Sequence, residues 1–241
     1  MKKNIARKST EGLRKETEKY SSRVGARDNY YNAAGQKVDG VTTILNLHDK
    51  PALVYWAWDL GIKGIDYRKY TDEVKEVGTL VHDMIRATFA GKSYLHLFKN
   101  YREWEVKRAK ESYKKFEAWR AGHKIKVIKT EYKVISEEFQ YGGRFDLLAE
   151  IDGILTLDDW KTGKRCYKEH AFQCAAYAKA LEEQDGIKVD RLMVINVPRG
   201  KADKFDEVVI QDRETIDLNF DVFRGLLIAH KAEKRLGVRW D

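Results

Sequence analysis

The most informative segment of the sequence runs from Gly142 to Tyr177 and reads GGRFDLLAEIDGILTLDDWKTGKRCYKEHAFQCAAY. Residues 139–151 and 154–160 are rich in β-branched and aromatic side chains, and Asp152-Gly153 between them is a strong hairpin-turn signal. With a similar segment at 126–136, they predict a meander of three antiparallel strands. A helix at about 169–183 is predicted to follow.

Two aspartates fall at matching places in this meander. Asp146 lies in the middle of the second strand and Asp159 near the end of the third. Antiparallel pairing would bring the two positions together, and converging carboxylates suit Mg²⁺ or Mn²⁺. A phosphodiester is the natural substrate of such a site, because the metal can generate hydroxide and neutralise charge on the phosphate oxygens.

A lysine accompanies the second aspartate. Asp159 and Lys161 are separated by one residue, so on a strand both side chains point to the same face. An ammonium group there can orient the attacking water or stabilise the transition-state anion. The Asp-x-Lys pattern alone is a weak signal, because it also arises by chance or as a surface ion pair.

The rest of the chain predicts a mixed α/β (α+β) domain. Helical periodicity indicates helices at 42–47, 52–61, 71–90 and 100–121, then at 216–235, with further strands at 191–197 and 207–211. We therefore expect one domain, 29–241, with a central mixed β-sheet flanked by helices and a helical N-terminal half. The aromatic helix 52–61, with Tyr55, Trp56 and Trp58, is expected to be a core helix, and base stacking is the alternative.

Positive charge is concentrated at the N-terminus. The net charge is +8, and residues 1–27 hold nine basic residues against three acids, a share of 9 − 3 = +6. We therefore predict that residues 1–28 form a basic, flexible arm. The arm is either a solvated tail or a tether for a polyanion such as nucleic acid.

The overall composition excludes several classes of protein. With 43% hydrophobic and 35% charged residues, the chain is expected to be ordered. No apolar run reaches the ~20 residues that span a bilayer, and no signal peptide is evident, so we expect a cytoplasmic protein without membrane contact. Cys166 and Cys174 are expected to be reduced and structural. An iron-sulfur cluster normally takes four cysteine thiolates, so none is expected.

Three short motifs occur in order with short gaps: Gly143-Arg144-Phe145-Asp146, Asp159-Trp160-Lys161-Thr162 and Gln173-Cys174-Ala175-Ala176-Tyr177. Together they resemble the GxxD, DxKT and QxxxY motifs of the PD-(D/E)xK nuclease superfamily, specifically its RecB-like exonucleases. Upstream, Gly78-Thr79-Leu80-Val81-His82 is similar to the family's helix with a metal-binding histidine. The resemblance covers about residues 78–197.

This resemblance implies a restriction-endonuclease-like core and a Mg²⁺- or Mn²⁺-dependent DNA exonuclease of a phage or of a DNA repair or recombination system. It implies that the metal ligands are His82, Asp146, Asp159 and the main-chain carbonyl of Trp160. It further implies that Lys161 is catalytic, that Glu131 supports a second metal or a water, and that Gln173 and Tyr177 contact the nucleic-acid strand.

Several alternatives remain open from the sequence. His82 could instead be an ordinary core histidine. Lys164, Arg165 and Lys168 could bind phosphates next to the scissile one, or could simply be solvated loop charges. The protein as a whole could be a DNA-binding module that does not cut, an endonuclease, or an RNA-processing enzyme on the same core. DNA that is single-stranded or has free ends is the expected partner.

Overall fold

A seven-stranded mixed sheet forms the centre of the computed structural model, which describes residues 28–48, 51–200 and 203–237. Its strands are β1 Tyr30–Tyr31, β2 Lys37–Gly40, β3 Ile125–Ser136, β4 Tyr141–Ile151, β5 Ile154–Lys161, β6 Arg191–Asn196 and β7 Asp206–Ile210. The α-helices are α1 Val41–Ile44, α2 Pro51–Ile62, α3 Tyr67–Phe89, α4 Glu103–Ala121, α5 Lys168–Asp185 and α6 Arg213–Leu236. Short 3-10 helices cover Leu45–Leu47 and Leu95–Asn100.

The predicted meander is confirmed. Strands β3, β4 and β5 pair in sequence and antiparallel. Asp152 and Gly153 have φ angles of 54° and 83°, the left-handed conformation that this kind of two-residue turn requires. Helix α5 then connects β5 to the parallel strand β6, and β7 pairs antiparallel with β6. The expected mixed sheet flanked by helices is therefore present.

One edge of β4 is divided between two partners. Its C-terminal half, Leu147–Ile151, pairs with β5, whereas Tyr141 and Gly142 pair in parallel with β2. Residues 143–146 lie between these two pairings. The pairing of β5 with β4 therefore stops one residue short of Asp146. This divergence of strands opens the sheet at the position where Asp146 and Asp159 lie.

Hydrophobic clusters cover both faces of the sheet. On one face, Phe145 and Leu157 pack with Ala176 of α5 and Phe223 of α6. On the other face, the strands pack against α3 and α4 in a cluster that includes Leu80, Phe116, Leu147, Trp160 and Met193. The sheet thus lies between two helical layers, and α3 is positioned to carry His82 to the sheet.

Helix α2 is not the core helix that its aromatic residues predict. Tyr55 is 73% exposed and Trp58 is 66% exposed. Trp56 is half-buried against Tyr70, with ring centroids 6.0 Å apart, and Leu60 is buried. The expectation of core burial was wrong for Tyr55 and Trp58, because the helix meets the rest of the described chain along one side only. Sequence periodicity cannot show whether a second element covers an apolar helix.

Two helices begin earlier than their hydrophobic periodicity predicts. Helix α3 begins at Tyr67 because the Asp66 side chain accepts hydrogen bonds from the backbone N–H groups of Arg68 and Lys69. Helix α6 begins at Arg213 because Asp212 accepts from the N–H of Thr215 in the same way. Such side-chain caps satisfy N–H groups that the first turn of a helix leaves free. Gly61, expected to end α2, lies inside it.

Strand β2 contacts helix α6 through polar side chains. Strands β1 and β2 form an antiparallel hairpin. The Asp39 carboxylate on β2 accepts from Lys234 Nζ at 2.7 Å and lies 3.2 Å from His230 Nε2.

Cys166 and Cys174 are free thiols. None of the helices in the described residues is long and apolar enough to cross a membrane. The predicted arm, apart from Asp28, lies outside the described residues.

Candidate active site

The structure brings three of the predicted metal ligands to the divergence of β4 and β5. The Asp146 Oδ2 atom accepts a hydrogen bond from the backbone N–H of Trp160 at 2.6 Å. His82 Nδ1, on α3, is 3.9 Å from the same oxygen. Asp159 is the neighbour of Trp160 and is buried. Side chains from the β4–β5 hairpin and from helix α3 therefore converge at one point.

Lys161 connects this point to helix α5. Its ammonium group forms an ion pair with Asp159 and donates to Gln173 Oε1 at 2.8 Å. Gln173 Nε2 in turn donates to the Tyr177 hydroxyl at 2.6 Å. The amide of Gln173 thus fixes the lysine from one side and is itself fixed by the tyrosine one helical turn later.

The same contacts place the QxxxY motif beside Lys161. Gln173 is only 6% exposed and Tyr177 only 4%, so both lie behind Lys161 instead of facing solvent. The structure therefore gives these side chains a contact with the candidate catalytic lysine. Contact with a nucleic-acid strand remains a prediction for both.

Burial and mutual charge set the protonation of the site. Burial, together with the charges of Asp159 and Glu131, raises the pKa of Asp146 well above its usual value. Burial alone would lower the pKa of Lys161, but the carboxylates of Asp159 and Asp146 outweigh it and the pKa is raised. Burial, with the nearby Lys161 cation, lowers the pKa of His82 to about 4. His82 is therefore neutral at neutral pH and keeps a ring nitrogen able to ligate a metal.

These residues fit a divalent cation by their chemistry. Two carboxylates and a neutral imidazole are donors that Mg²⁺ or Mn²⁺ accepts, and a cation would relieve the charge repulsion that raises the pKa of Asp146. Within the described parts of the chain, however, no three His, Cys, Asp or Glu side chains lie close enough to hold one ion as they stand. In this arrangement Lys161 pairs with Asp159, and the N–H of Trp160 donates to Asp146.

Glu131 lies opposite Asp146 in the sheet, between the pairs Thr130–Leu147 and Tyr132–Phe145. Its φ angle is 49°, a left-handed conformation that costs a side-chain-bearing residue ~1 to 3 kcal/mol and is concentrated at functional sites. Glu131 Oε2 is 3.4 Å from Arg144 Nε. Burial raises the pKa of Glu131, although Arg144 and Arg86 oppose the rise.

Two motif glycines permit close contacts around the site. A Cβ atom at Gly78 would lie 2.6 Å from Thr162 Oγ1, and one at Gly143 would lie 2.2 Å from a ring carbon of Tyr177. Real Cβ atoms do not approach other atoms so closely. Gly78 therefore lets α3 approach the end of β5, and Gly143 gives the Tyr177 ring its place against β4.

The Gly143→Ala substitution should therefore destabilise the fold. The added methyl group meets a buried ring that Gln173 holds in place, and overpacking of this kind costs ~1 to 3 kcal/mol. Thermal unfolding would show a lower midpoint than for the wild type. Gly225→Ala is the control, because a Cβ on that glycine of α6 meets nothing within 4 Å. Equal midpoints for the two variants would contradict the packing of Tyr177 described above.

The basic residues predicted to bind phosphates follow β5. Lys164 and Arg165 are exposed in the loop, and Lys168 is exposed at the start of α5. The Arg165 guanidinium lies over the Tyr167 ring, 5.2 Å from its centroid. Both the phosphate-binding and the solvated interpretations remain predictions for these three residues.

Sequence reasoning missed two further charged groups beside the site. Arg199, in the loop between β6 and β7, acts electrostatically on His82. Arg144 pairs with Asp28 at 3.0 Å as well as with Glu131. Arg144 is part of the GxxD motif and could have been noticed there. Nothing in the sequence around Arg199 distinguishes it from other loop arginines, because its position depends on long-range packing.

A comparison with protein-family models decides the identity of this fold. The model of the PD-(D/E)XK nuclease superfamily matches residues 55–235, well over half of the chain. The chain belongs to the PD-(D/E)XK nuclease superfamily. The resemblance predicted from the motifs is thereby confirmed at the level of the superfamily, and so is the restriction-endonuclease-like fold, with its central mixed sheet flanked by helices.

Solved structures that resemble this chain include two with low sequence identity to it. One is the protein from Eubacterium rectale solved as "Putative exonuclease", with 11% identity, a TM-score of 0.48 and coverage of 68% of this chain and 69% of that one. The other is SSO0001, with 15% identity, a TM-score of 0.28 and coverage of 64% and 74%. No curated protein matches the chain.

Membership in the superfamily implies the general chemistry of the site. PD-(D/E)XK nucleases hydrolyse phosphodiester bonds and generally use divalent metal ions. The carboxylates and the lysine at the divergence of β4 and β5 are of the residue types that this chemistry needs.

Proposed function

We propose that this protein is a Mg²⁺- or Mn²⁺-dependent deoxyribonuclease of the RecB-like type, an exonuclease that acts on DNA ends or single strands. One observation carries the proposal. Lys161 lies between Asp159 and Gln173 at the point where Asp146 and His82 also converge. A charged lysine among buried carboxylates, at the opening of a nuclease sheet, is suited to phosphodiester hydrolysis.

In this proposal the metal is held by His82, Asp146, Asp159 and the main-chain carbonyl of Trp160. When bound, it activates water and neutralises charge that develops on the phosphate. His82 can serve as a ligand because burial keeps it neutral. Glu131 supports a second ion or orients a water, and Arg144 holds its carboxylate in place.

Lys161 has the second role in the proposed reaction. Its raised pKa keeps the ammonium charged at neutral pH, so it acts as a fixed positive charge and not as a base. The charge stabilises the phosphate oxygens as negative charge grows on them, or orients the attacking water. Gln173 and Tyr177 restrict its position, which lowers the reorganisation needed during the reaction.

A purely DNA-binding protein is the less favoured alternative. Asp146, Asp159 and Glu131 would repel a polyanion if no metal joined them, so a module that only binds has no use for them. An RNA-cleaving enzyme is chemically possible on the same residues, because such a site reads phosphate and not sugar. Substrate assays separate these functions directly.

The exonuclease part of the proposal rests on the QxxxY helix, by which the chain resembles end-directed enzymes. We expect linear single-stranded DNA to be degraded to short products while a closed circle of the same sequence survives, because an end-directed enzyme needs a free terminus. The measurement is gel analysis of both substrates under identical Mg²⁺ and salt, with chelated reactions and a matched RNA in parallel. Equal cleavage of the circle would make the enzyme an endonuclease, and loss of linear DNA in the presence of chelator would contradict the metal.

A further inference from the structure

Arg199 carries a positive charge that lies beside the candidate site, where Asp203 acts on it electrostatically without forming an ion pair. The side chain is half-buried in the loop after β6, and its Nη1 donates to the backbone carbonyl of Val74 on α3 at 2.5 Å. Among the side chains that the structure describes, no carboxylate lies within ion-pair distance of this guanidinium. A half-buried cation without an ion-pair partner is costly, so its position needs an explanation.

The loop that carries Arg199 is fixed to helix α4. Three side chains of α4 donate hydrogen bonds to backbone carbonyls of the loop, at distances between 2.8 and 3.0 Å. They are Arg108 to Arg199, Ser112 to Pro198, and Lys115 to both Gly200 and Asp203. The backbone around Arg199 is therefore fixed by α4, and the guanidinium itself is held by its bond to Val74.

Arg199 is held against the part of α3 that carries His82. A Cβ placed on Gly78, one turn before His82, would lie 3.4 Å from Arg199 Nη1 and 2.6 Å from Thr162 Oγ1. Thr162 directly follows Lys161. Arg199 is thus at the junction between α3 and the end of β5, whereas Lys161 reaches the site from the side of α5.

Other arginines near the site differ from Arg199 in their partners. Arg86 pairs with Asp83 at 2.7 Å. Arg144 pairs with both Asp28 and Glu131. Their charges are already compensated, whereas the charge of Arg199 is compensated by no described residue at ion-pair distance. Arg199 also uses a single described acceptor, which leaves most of its donors for another group.

We propose that Arg199 binds a phosphate of the substrate strand adjacent to the scissile phosphate, from the α3 side of the site. A guanidinium offers a planar set of donors that matches two phosphate oxygens at once. The anion would also supply the ion-pair partner that the described side chains lack. This inference rests on the proposed nuclease function and adds a substrate-binding residue to it.

The test compares Arg199→Gln, Arg199→Lys and wild type in binding a fluorescent single-stranded oligonucleotide. Binding is measured with Ca²⁺ as a probe ion in place of Mg²⁺, over a range of salt concentrations. Glutamine keeps a polar amide but is shorter than arginine and has no charge, so Arg199→Gln should weaken binding on the order of tenfold at low salt. Its log-log salt slope should fall by ~0.7, as for one lost phosphate contact on single strands. The Arg199→Lys variant should keep the wild-type salt slope and bind the oligonucleotide less tightly than the wild type.

Arg224→Ala is the charge-matched control, because Arg224 is an exposed α6 residue that pairs with Asp221. It should bind like the wild type. If Arg199→Gln melts like the wild type and keeps the slope of the control, Arg199 is structural and the inference is wrong. If the wild type binds no oligonucleotide of DNA or RNA, the proposed function itself fails. In cleavage assays, the inference requires a higher KM for Arg199→Gln with kcat changed by only a few-fold.

Discussion

The Asp159→Ala variant should fold normally and lose cleavage almost completely. Asp159 is a proposed metal ligand and also the partner of Lys161. Its removal should therefore affect both the binding of the metal and the position of the Lys161 ammonium. Loss of a hard oxygen ligand costs several kcal/mol of transition-state stabilisation, which corresponds to a fall in kcat/KM on the order of 10³ or more. Initial rates on linear single-stranded DNA, with Mg²⁺ near saturation, are the measurement.

The neighbouring residue provides a matched control. Asp158 is fully buried, and neither of its oxygens has a well-directed donor among the described residues. Burial raises the pKa of Asp158 well above its usual value. Because this carboxyl has a higher pKa in the folded state than in the unfolded state, its ionisation works against folding. The folded state therefore loses stability as the pH rises from the unfolded pKa, near 4, towards the folded one.

Asp158→Asn should therefore keep activity within a few-fold and should not lower stability at neutral pH. This pair of variants distinguishes the metal site from general disturbance of β5. A folded Asp159→Ala enzyme that still cuts at the wild-type rate would contradict the assignment of Asp159. Equal loss of activity in Asp158→Asn would show that the strand, and not the carboxylate, is what matters.

The second large effect is expected for Lys161→Ala. Its ammonium group is held by Asp159 and Gln173 close to the carboxylates, where negative charge grows during the proposed reaction. Loss of one preorganised electrostatic group should lower kcat by about 10² or more, while the affinity for DNA changes little. Single-turnover rates and oligonucleotide binding, measured on the same preparation, separate the two quantities.

Lys126→Ala is the control for this variant, because Lys126 is an exposed residue of β3 that pairs with Glu150. It removes the same charge and should leave both quantities unchanged. If Lys161→Ala binds DNA much more weakly but cuts at the normal rate when saturated, Lys161 is a phosphate-binding residue and has no role in the chemical step.

Local sequence signals predict the central part of the fold. The Asp152-Gly153 turn fixes the β4–β5 pairing, so the neighbouring positions of Asp146 and Asp159 follow from strand geometry alone. The spacing of Gln173 and Tyr177 places both on one helical face. The motif resemblance then identifies the superfamily, which the family comparison confirms.

Long-range packing determines what the sequence could not predict. The exposure of Tyr55 and Trp58 depends on the absence of a covering element among the described residues, which an apolar pattern cannot reveal. The position of Arg199 depends on hydrogen bonds from α4, about 90 residues earlier in the chain. The burial of Gln173 depends on how closely α5 approaches β4, and Gly143 permits that approach.

The contact between β2 and α6 has a consequence for folding during synthesis. Asp39 precedes its partner His230 by 191 residues, and at about 5 to 20 residues per second a ribosome needs roughly 10 to 40 s to make that distance. The β3–β4–β5 meander has only short-range pairings and can form as soon as it emerges. β2 can join β4 once Tyr141 is made, but its contact with α6 can form only later. The nascent chain must therefore hold β2 at the sheet without this contact until α6 has been made.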